Sequence, residues 1–208
     1  MEIKADLHLH TSCSDGTHST EELIEKVDRS GLKIISITDH DSVSAIDKAI
    51  ELGRPRGIEV VPGIELSATI QDAEVHVLGY FIDHNNPVLN NYLSMFQRER
   101  VNRAKRIVGK LNQMNVPLTI DSVMDQVEGD SVGRPHIANA LVNGGHTESY
   151  HEAFNRYLGN GKPAYEEKWN FSPEETIKLI AQSGGLSFLA HPGRSVKEEL
   201  LFQLIKSG

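Results

Sequence analysis

The sequence predicts an α/β fold in which strands and helices alternate at both ends of the chain, interrupted by a helical insertion. Three observations carry that reading. Residues 3–81 alternate short apolar or β-branched runs with amphipathic, capped segments, residues 88–165 place apolar side chains at helical spacing, and the alternation resumes at residue 172.

Taken in order, Ile3 to Leu7 is a short strand ending at His8. Ser19-Thr-Glu-Glu22 is a capping box that opens a helix with Leu23, Ile24 and Val27 inward, and Gly31 stops it. Lys33 to Thr38 is a second strand, Ser44 to Leu52 a second helix, Ile58 to Val61 a third strand and Val75 to Phe81 a fourth. Their uninterrupted apolar character is that of buried parallel strands.

Between residues 88 and 165, Leu89, Leu93, Phe96, Ala104, Ile107, Val108 and Leu111 predict one long helix, or two with a break, before Pro117. Shorter helices are expected over Ile120 to Val127, Pro135 to Val142 and Ser149 to Leu158. The basic run Arg98, Arg100, Arg103, Lys105 and Arg106 reads as a solvated face of the long helix. The domain division is thus 1–87 with 166–208 for the α/β part and 88–165 for an inserted helical cap. Ser172-Pro-Glu-Glu175 combines a Ser cap, Pro at the first helical position and Glu at the third, so a helix begins there and ends at Gly184-Gly185. Leu186 to Ala190 then forms a strand running into His191, and a last helix is expected around Val196 to Ile205. The alternation stops in mid-repeat at Gly208, so the expectation is an α/β domain truncated at its C-terminus.

Size and composition narrow the chemistry. A chain of 208 residues, 38% hydrophobic and 24% charged, can bury one sizeable core. It has no apolar run long enough to span a bilayer and no signal-peptide pattern at its start, which predicts a cytoplasmic protein with no membrane partner. The single cysteine, Cys13, excludes an internal disulfide and a thiolate-rich metal site. A net charge of −8 argues against coating nucleic acid by bulk electrostatics. Ten histidines and an acidic surplus favour divalent ions held by N and O donors.

Histidines and carboxylates recur at strand ends: His8 and His10 after the first strand, Asp39, His40 and Asp41 after the second, Glu65 after the third and His191 after the fifth, with His76 inside the fourth. Parallel strands open their carboxyl ends on one side, where active sites assemble from separate loops. His8 and His10 stand at i and i+2 of an extended segment, so both rings can face one ion. Asp15, in Ser12-Cys-Ser-Asp-Gly16, is equally a turn residue. His40 lies between two carboxylates that could orient its ring, with Asp41 also suited to cap the following helix. Glu65 could bridge two ions or form an ordinary ion pair. His76 could be a ligand or a satisfied core histidine, and Pro192 fixes the turn behind His191.

Asp6-Leu-His-Leu-His10 with Asp15, Thr38-Asp-His-Asp41, Gly63-Ile-Glu65 with His76-Val-Leu-Gly-Tyr80, and Ala190-His-Pro192 together resemble the polymerase and histidinol phosphatase (PHP) family of metal-dependent phosphoesterases. Gly133-Arg-Pro-His136 in the insertion resembles the TrpH-like subgroup of stand-alone nucleotide phosphatases and exoribonucleases. The resemblance implies a distorted (β/α)7 TIM-like barrel with two or three divalent ions (manganese, iron or zinc). It implies that His8, His10 and Glu65 hold the first ion, Glu65, His76 and His191 the second, and Asp15 and His40 part of the third. A late Asp-x-His motif of the family, which gives one ligand each to the first and third ions, is not among these residues.

Divalent ions suit phosphoester hydrolysis, and no motif around Cys13 argues for covalent catalysis, so attack is assigned to a metal-bridging hydroxide. Arg134 is the candidate for bidentate contact with a terminal phosphate, His136 a proton donor or substrate contact, and Arg194 a further contact. The expected substrate is a small phosphorylated nucleotide, such as a nucleoside 3′,5′-bisphosphate, or a short 5′-phosphorylated oligonucleotide, with no protein partner indicated. A histidinol-phosphate-type metabolite phosphatase and a catalytically impaired metal-binding domain are the alternatives.

Overall fold

The computed structural model describes residues 4–70, 73–127, 129, 131–167, 171–192 and 202. Five strands, β1 (Ala5–Leu9), β2 (Ile34–Ile37), β3 (Glu59–Ile70), β4 (Ala73–Tyr80) and β5 (Leu186–Leu189), form one mixed sheet in sequence order. The helices are α1 (Thr20–Ser30), α2 (Ile46–Gly53), α3 (Pro87–Gln113), α4 (Ile120–Met124), α5 (Arg134–Asn143), α6 (Tyr150–Ala153) and α7 (Pro173–Gln182). The helix expected around Val196 to Ile205 lies outside the described residues apart from Phe202.

The chain divides into two compact units, Met1–Ser94 with Asn170–Gly208, and Met95–Trp169. The first holds the sheet. Its helices α1 and α2 cover β2 through Leu23, Ile24, Val27, Ile35, Ile37, Ala45 and Ala49, while α7 and the first turns of α3 cover β3 and β4 through Ile64, Leu66, Val77, Leu89, Leu93, Leu179 and Ile180. The capping boxes read from the sequence are both present: Ser19 accepts from the Glu22 N–H and Ser172 from the Glu175 N–H, and each Glu accepts in return from the backbone N–H of its Ser. Gly31 ends α1 at φ 74°, a conformation that costs a Cβ-bearing residue energy. The second unit is helical and has its own core of Ile107, Leu111, Val123, Ile137, Leu141 and Leu158.

The expectation of an all-parallel sheet is corrected. β1, β2 and β3 pair in parallel, but β4 is antiparallel to both β3 and β5. β3 is also far longer than the expected Ile58 to Val61, so Glu65 sits within it and only residues 71 and 72 separate β3 from β4. A connection that short permits only an antiparallel return. β1 likewise extends to Leu9 and includes His8. The sheet curves strongly: the Tyr80 hydroxyl on β4 donates to the Leu7 carbonyl on β1 (2.8 Å), although two strands intervene in the hydrogen-bonded order.

No helix among the described residues is long and apolar enough to cross a membrane.

Candidate metal centre

The reversal of β4 explains how His76 joins the site. Strands β1, β2, β3 and β5 run one way, so the beginning of β4 lies with their carboxyl ends. Ser67 pairs with His76 and Glu65 with Leu78, and residues directly opposite, or two apart on one strand, share a face. His76 and Glu65 are therefore diagonal neighbours on one face. The Ala190 N–H donates to the His76 carbonyl (2.9 Å), which brings His191 alongside. On the other side the chain after β2 continues beside β3: the Asp41 N–H donates to the Glu65 carbonyl (3.0 Å), and His40 forms a parallel bridge with Glu65.

Glu65 is the hub. Its side chain is 1% exposed, and its Oε2 lies 2.8 Å from His8 Nε2 and 3.0 Å from His10 Nε2. Its Oε1 lies 2.8 Å from His76 Nδ1 and 3.0 Å from His191 Nε2. One carboxylate thus faces a pair of imidazoles through each oxygen. Asp15 stands to the side, 3.5 Å from His10 Nδ1 and 3.7 Å from His40 Nε2, and His40 Nδ1 is 3.8 Å from Glu65 Oε2.

Hydrogen bonds alone account poorly for this arrangement. His8 Nε2 and His10 Nε2 are 3.1 Å apart while both face one carboxylate oxygen, and since each ring nitrogen offers a single proton or lone pair, the three contacts cannot all be hydrogen bonds. The buried Nδ1 atoms of His10 and His40 have no hydrogen-bond partner among the described residues. Two groups, His8 with Glu65 and His191, and His10 with His40 and Glu65, place their donor atoms within 4.8 Å of one another. The residues fit divalent ions held by N and O donors.

The electrostatics follow from burial and proximity. Burial alone would raise the Glu65 carboxyl, but hydrogen bonds from His10 and His76 and the surrounding imidazoles outweigh it and hold the carboxyl well below the usual range. Burial lowers His10, yet the Glu65 hydrogen bond and charge, with Asp15 and Asp39, raise it overall. Burial dominates at His40 and brings it down to about 4, so in the ion-free protein this ring is neutral near pH 7 and its lone pair is available.

Asp39 and Asp41 do not take the expected roles. Asp39, 1% exposed, accepts from the Thr11 N–H (2.7 Å), the Thr11 hydroxyl (2.6 Å) and the Ser14 hydroxyl (2.6 Å). It fixes the loop after β1 that carries His10 and Asp15 and does not orient His40. Burial pushes its carboxyl up, against these three donors. Asp41 does not cap α2, whose N-cap is Ala45; it stands at φ 52° with its Oδ1 accepting from the Ser67 N–H (3.3 Å). His191 (φ 26°) is likewise among the four described non-glycine residues at positive φ, the other two being Phe81 and Asn115. Sequence reasoning missed Thr11 and Ser14, whose only signal was the hydroxyl-rich run before Asp15. Gly16 closes that loop so tightly that a Cβ would stand 2.5 Å from the His10 carbonyl oxygen.

Three further candidates remain. Arg194 falls outside the described residues. His136, in the second unit, is 8% exposed and its Nδ1 accepts from the Gly133 N–H (2.9 Å), capping its own helix α5. Arg134 donates through Nη1 to the Leu158 carbonyl and to Asn160 Oδ1, both at 3.2 Å, and lines a shallow depression with Arg100 and Arg103. The reading of the basic run as a solvated face fails at Arg103, which is 6% exposed and donates through Nε and Nη2 to the Glu166 carbonyl.

A curved mixed sheet with helices outside, and a buried glutamate shared among histidines from separate strand ends, define the class. The sequence matches the PHP domain family over residues 6–187, and the chain belongs to that family. It is 34% identical over 191 residues to the 5′-3′ exoribonuclease Rnm of Escherichia coli, covering 91% of this chain and 65% of that protein. It is 30% identical over 190 residues to a 3′,5′-nucleoside bisphosphate phosphatase of Chromobacterium violaceum, covering 91% and 67%. The chain thus spans about two thirds of the length of these relatives. Its fold matches a solved metal-dependent phosphoesterase of Bifidobacterium adolescentis with a TM-score of 0.89 and 32% identity, over 99% of this chain and 75% of that one.

Proposed function

We propose that this chain carries the centre of a metal-dependent phosphoester hydrolase acting on small phosphorylated nucleotides, namely nucleoside 3′,5′-bisphosphates or short 5′-phosphorylated oligonucleotides. The observation that carries the reading is the division of the Glu65 carboxylate, with Oε2 facing His8 and His10 and Oε1 facing His76 and His191. A carboxylate divided in this way would be suited to hold an ion through each oxygen. Asp15 and His40 would contribute to a third, and the donor set suits manganese, iron or zinc. We read the curved sheet as part of the distorted (β/α)7 barrel of the family, and residues 88–165 as a cap that governs substrate choice.

When bound, the ions would lower the pKa of a water and offset charge on the phosphate oxygens. The chain's own residues do the rest. Glu65 keeps its negative charge across the working pH range because His10 and His76 hold its carboxyl low. His40 stays neutral, and the Asp39 hydrogen bonds fix the loop bearing His10 and Asp15. Arg134 supplies a guanidinium to a phosphate group of the substrate, the type of planar cation that recognises an oxyanion through two N–H bonds. The names of the relatives support nucleotide substrates over histidinol phosphate.

The test is phosphate or nucleotide release by purified protein supplied with Mn²⁺. Chelation abolishes it, and Arg134→Ala lowers kcat/KM by roughly thirtyfold or more, since truncating one partner of a desolvated charged pair costs ~2–5 kcal/mol. Turnover of every nucleotide within twofold of the unmodified protein in Arg134→Ala, or histidinol phosphate as the better substrate, defeats the nucleotide reading.

A further inference from the structure

Three side chains of the second unit surround the Arg134 guanidinium without belonging to any site described above. The Asn160 Oδ1 and the Leu158 carbonyl accept from Nη1 at 3.2 Å each, which occupies both hydrogens of that nitrogen. The guanidinium carbon lies 5.8 Å from the Phe154 ring centroid and 5.6 Å from the Tyr165 ring centroid, within the range of cation–π attraction. Tyr165 is itself anchored, because Lys110 Nζ donates to its carbonyl (2.6 Å) and Arg103 donates twice to the next carbonyl, of Glu166. Nε and Nη2 of Arg134, by contrast, have no partner among the described residues.

The pattern is selective. A guanidinium has a side-on edge made of Nε and Nη2, which delivers two parallel N–H bonds to one oxyanion. Here the opposite nitrogen and the flat surface are engaged, and that edge alone is left. An arginine serving only to brace the fold would gain by spending Nε and Nη2 as well, as Arg103 does on Glu166.

We propose that Phe154, Asn160 and Tyr165 are positioning residues that hold Arg134 with its Nε–Nη2 edge open, and so set the preference for substrates carrying a second phosphate group. This rests on the assignment of Arg134 to substrate made above. The arrangement reduces the rotamer freedom that a long side chain otherwise loses on binding. Tyr165 acts through its ring face, so its hydroxyl is dispensable; Asn160 acts through its acceptor oxygen.

The test measures kcat/KM for a nucleoside 3′,5′-bisphosphate and for the 5′-monophosphate of the same nucleoside, in Mn²⁺-loaded protein. Asn160→Ala and Tyr165→Leu each lower the ratio of the two by about three- to tenfold, chiefly through KM of the bisphosphate, as expected for losing one contact of this strength. Tyr165→Phe stays within twofold of the unmodified ratio. Neither Asn160→Ala nor Tyr165→Leu lowers the ratio further when combined with Arg134→Ala, because the group they position is gone. Asn160 is exposed, so its variant tests the proposal even if Tyr165→Leu fails to fold. Equal losses on both substrates, or an undiminished effect in the Arg134→Ala background, overturn the proposal. A ratio that falls in Arg134→Ala but not in Asn160→Ala or Tyr165→Leu overturns it while leaving the Arg134 assignment standing. An unchanged ratio in Arg134→Ala itself overturns that assignment and the proposal together.

Discussion

Replacing Asp39 by alanine removes the acceptor for three short hydrogen bonds while leaving every candidate ligand in place. The Thr11 N–H, the Thr11 hydroxyl and the Ser14 hydroxyl converge on this carboxylate at 2.7, 2.6 and 2.6 Å. Bonds to a charged group contribute about 1.5–3 kcal/mol each, and their energies do not add when they share one acceptor. The cost of burying the carboxylate offsets part of the sum, as the upward push on its pKa shows. Thr11 is fully buried, so its N–H loses its partner without gaining water. Alanine is therefore expected to cost about 3–5 kcal/mol of unfolding free energy, since a buried N–H and two hydroxyls lose their acceptor at about 1–3 kcal/mol each and the hydroxyls partly re-pair. Asparagine keeps one acceptor oxygen and lets the hydroxyls rotate to accept from its amide, for a loss of about 1–2 kcal/mol. Urea denaturation of chelator-treated protein at pH 7 reads both values from the midpoint at constant slope. An alanine variant within about 0.5 kcal/mol of the unmodified protein refutes the reasoning.

Gly16→Ala should act on the same loop from its other side, since the new methyl meets the His10 carbonyl; Mn²⁺ titration should show weaker binding, and unchanged binding with unchanged stability contradicts the packing argument. In the metal-free protein His40 is held at about 4 against an ordinary 6.5, so the folded state takes up fewer protons than the unfolded chain between those values. Its contribution to stability is accordingly lost as pH falls from 6.5 toward 4, and His40→Asn should flatten that part of the urea-midpoint profile; parallel profiles would rule this out. Glu65→Gln removes the shared charge, so metal analysis of the purified variant should show losses at more than one ion, and full retention would exclude a bridging role.

Much of the site was legible because its spacing is local. His8 and His10 stand two apart on a strand, and the capping boxes at Ser19 and Ser172 marked two helix starts to the residue. The direction of β4 was not legible because an apolar strand looks the same in either orientation. Ending β3 at Val61 left room for a crossover that does not exist; the continuation of β3 to Ile70 removes it. Asp41 looked like a helix cap since the sequence cannot reveal that its backbone bonds to Glu65 and its side chain to Ser67, 26 residues away. Nor does a run of basic residues disclose that Arg103 is buried and donates to the Glu166 carbonyl while Arg106, exposed, pairs with the Glu166 carboxylate.

The central claim is that the Glu65 carboxylate joins two ion sites. Anomalous diffraction from crystals of the Mn²⁺-loaded protein tests it most directly. Two peaks should flank Glu65, one beside Oε2 within coordination distance of His8 and His10 and the other beside Oε1 within coordination distance of His76 and His191. A map without ions among these side chains, or with ions that leave Glu65 uncoordinated, would contradict it.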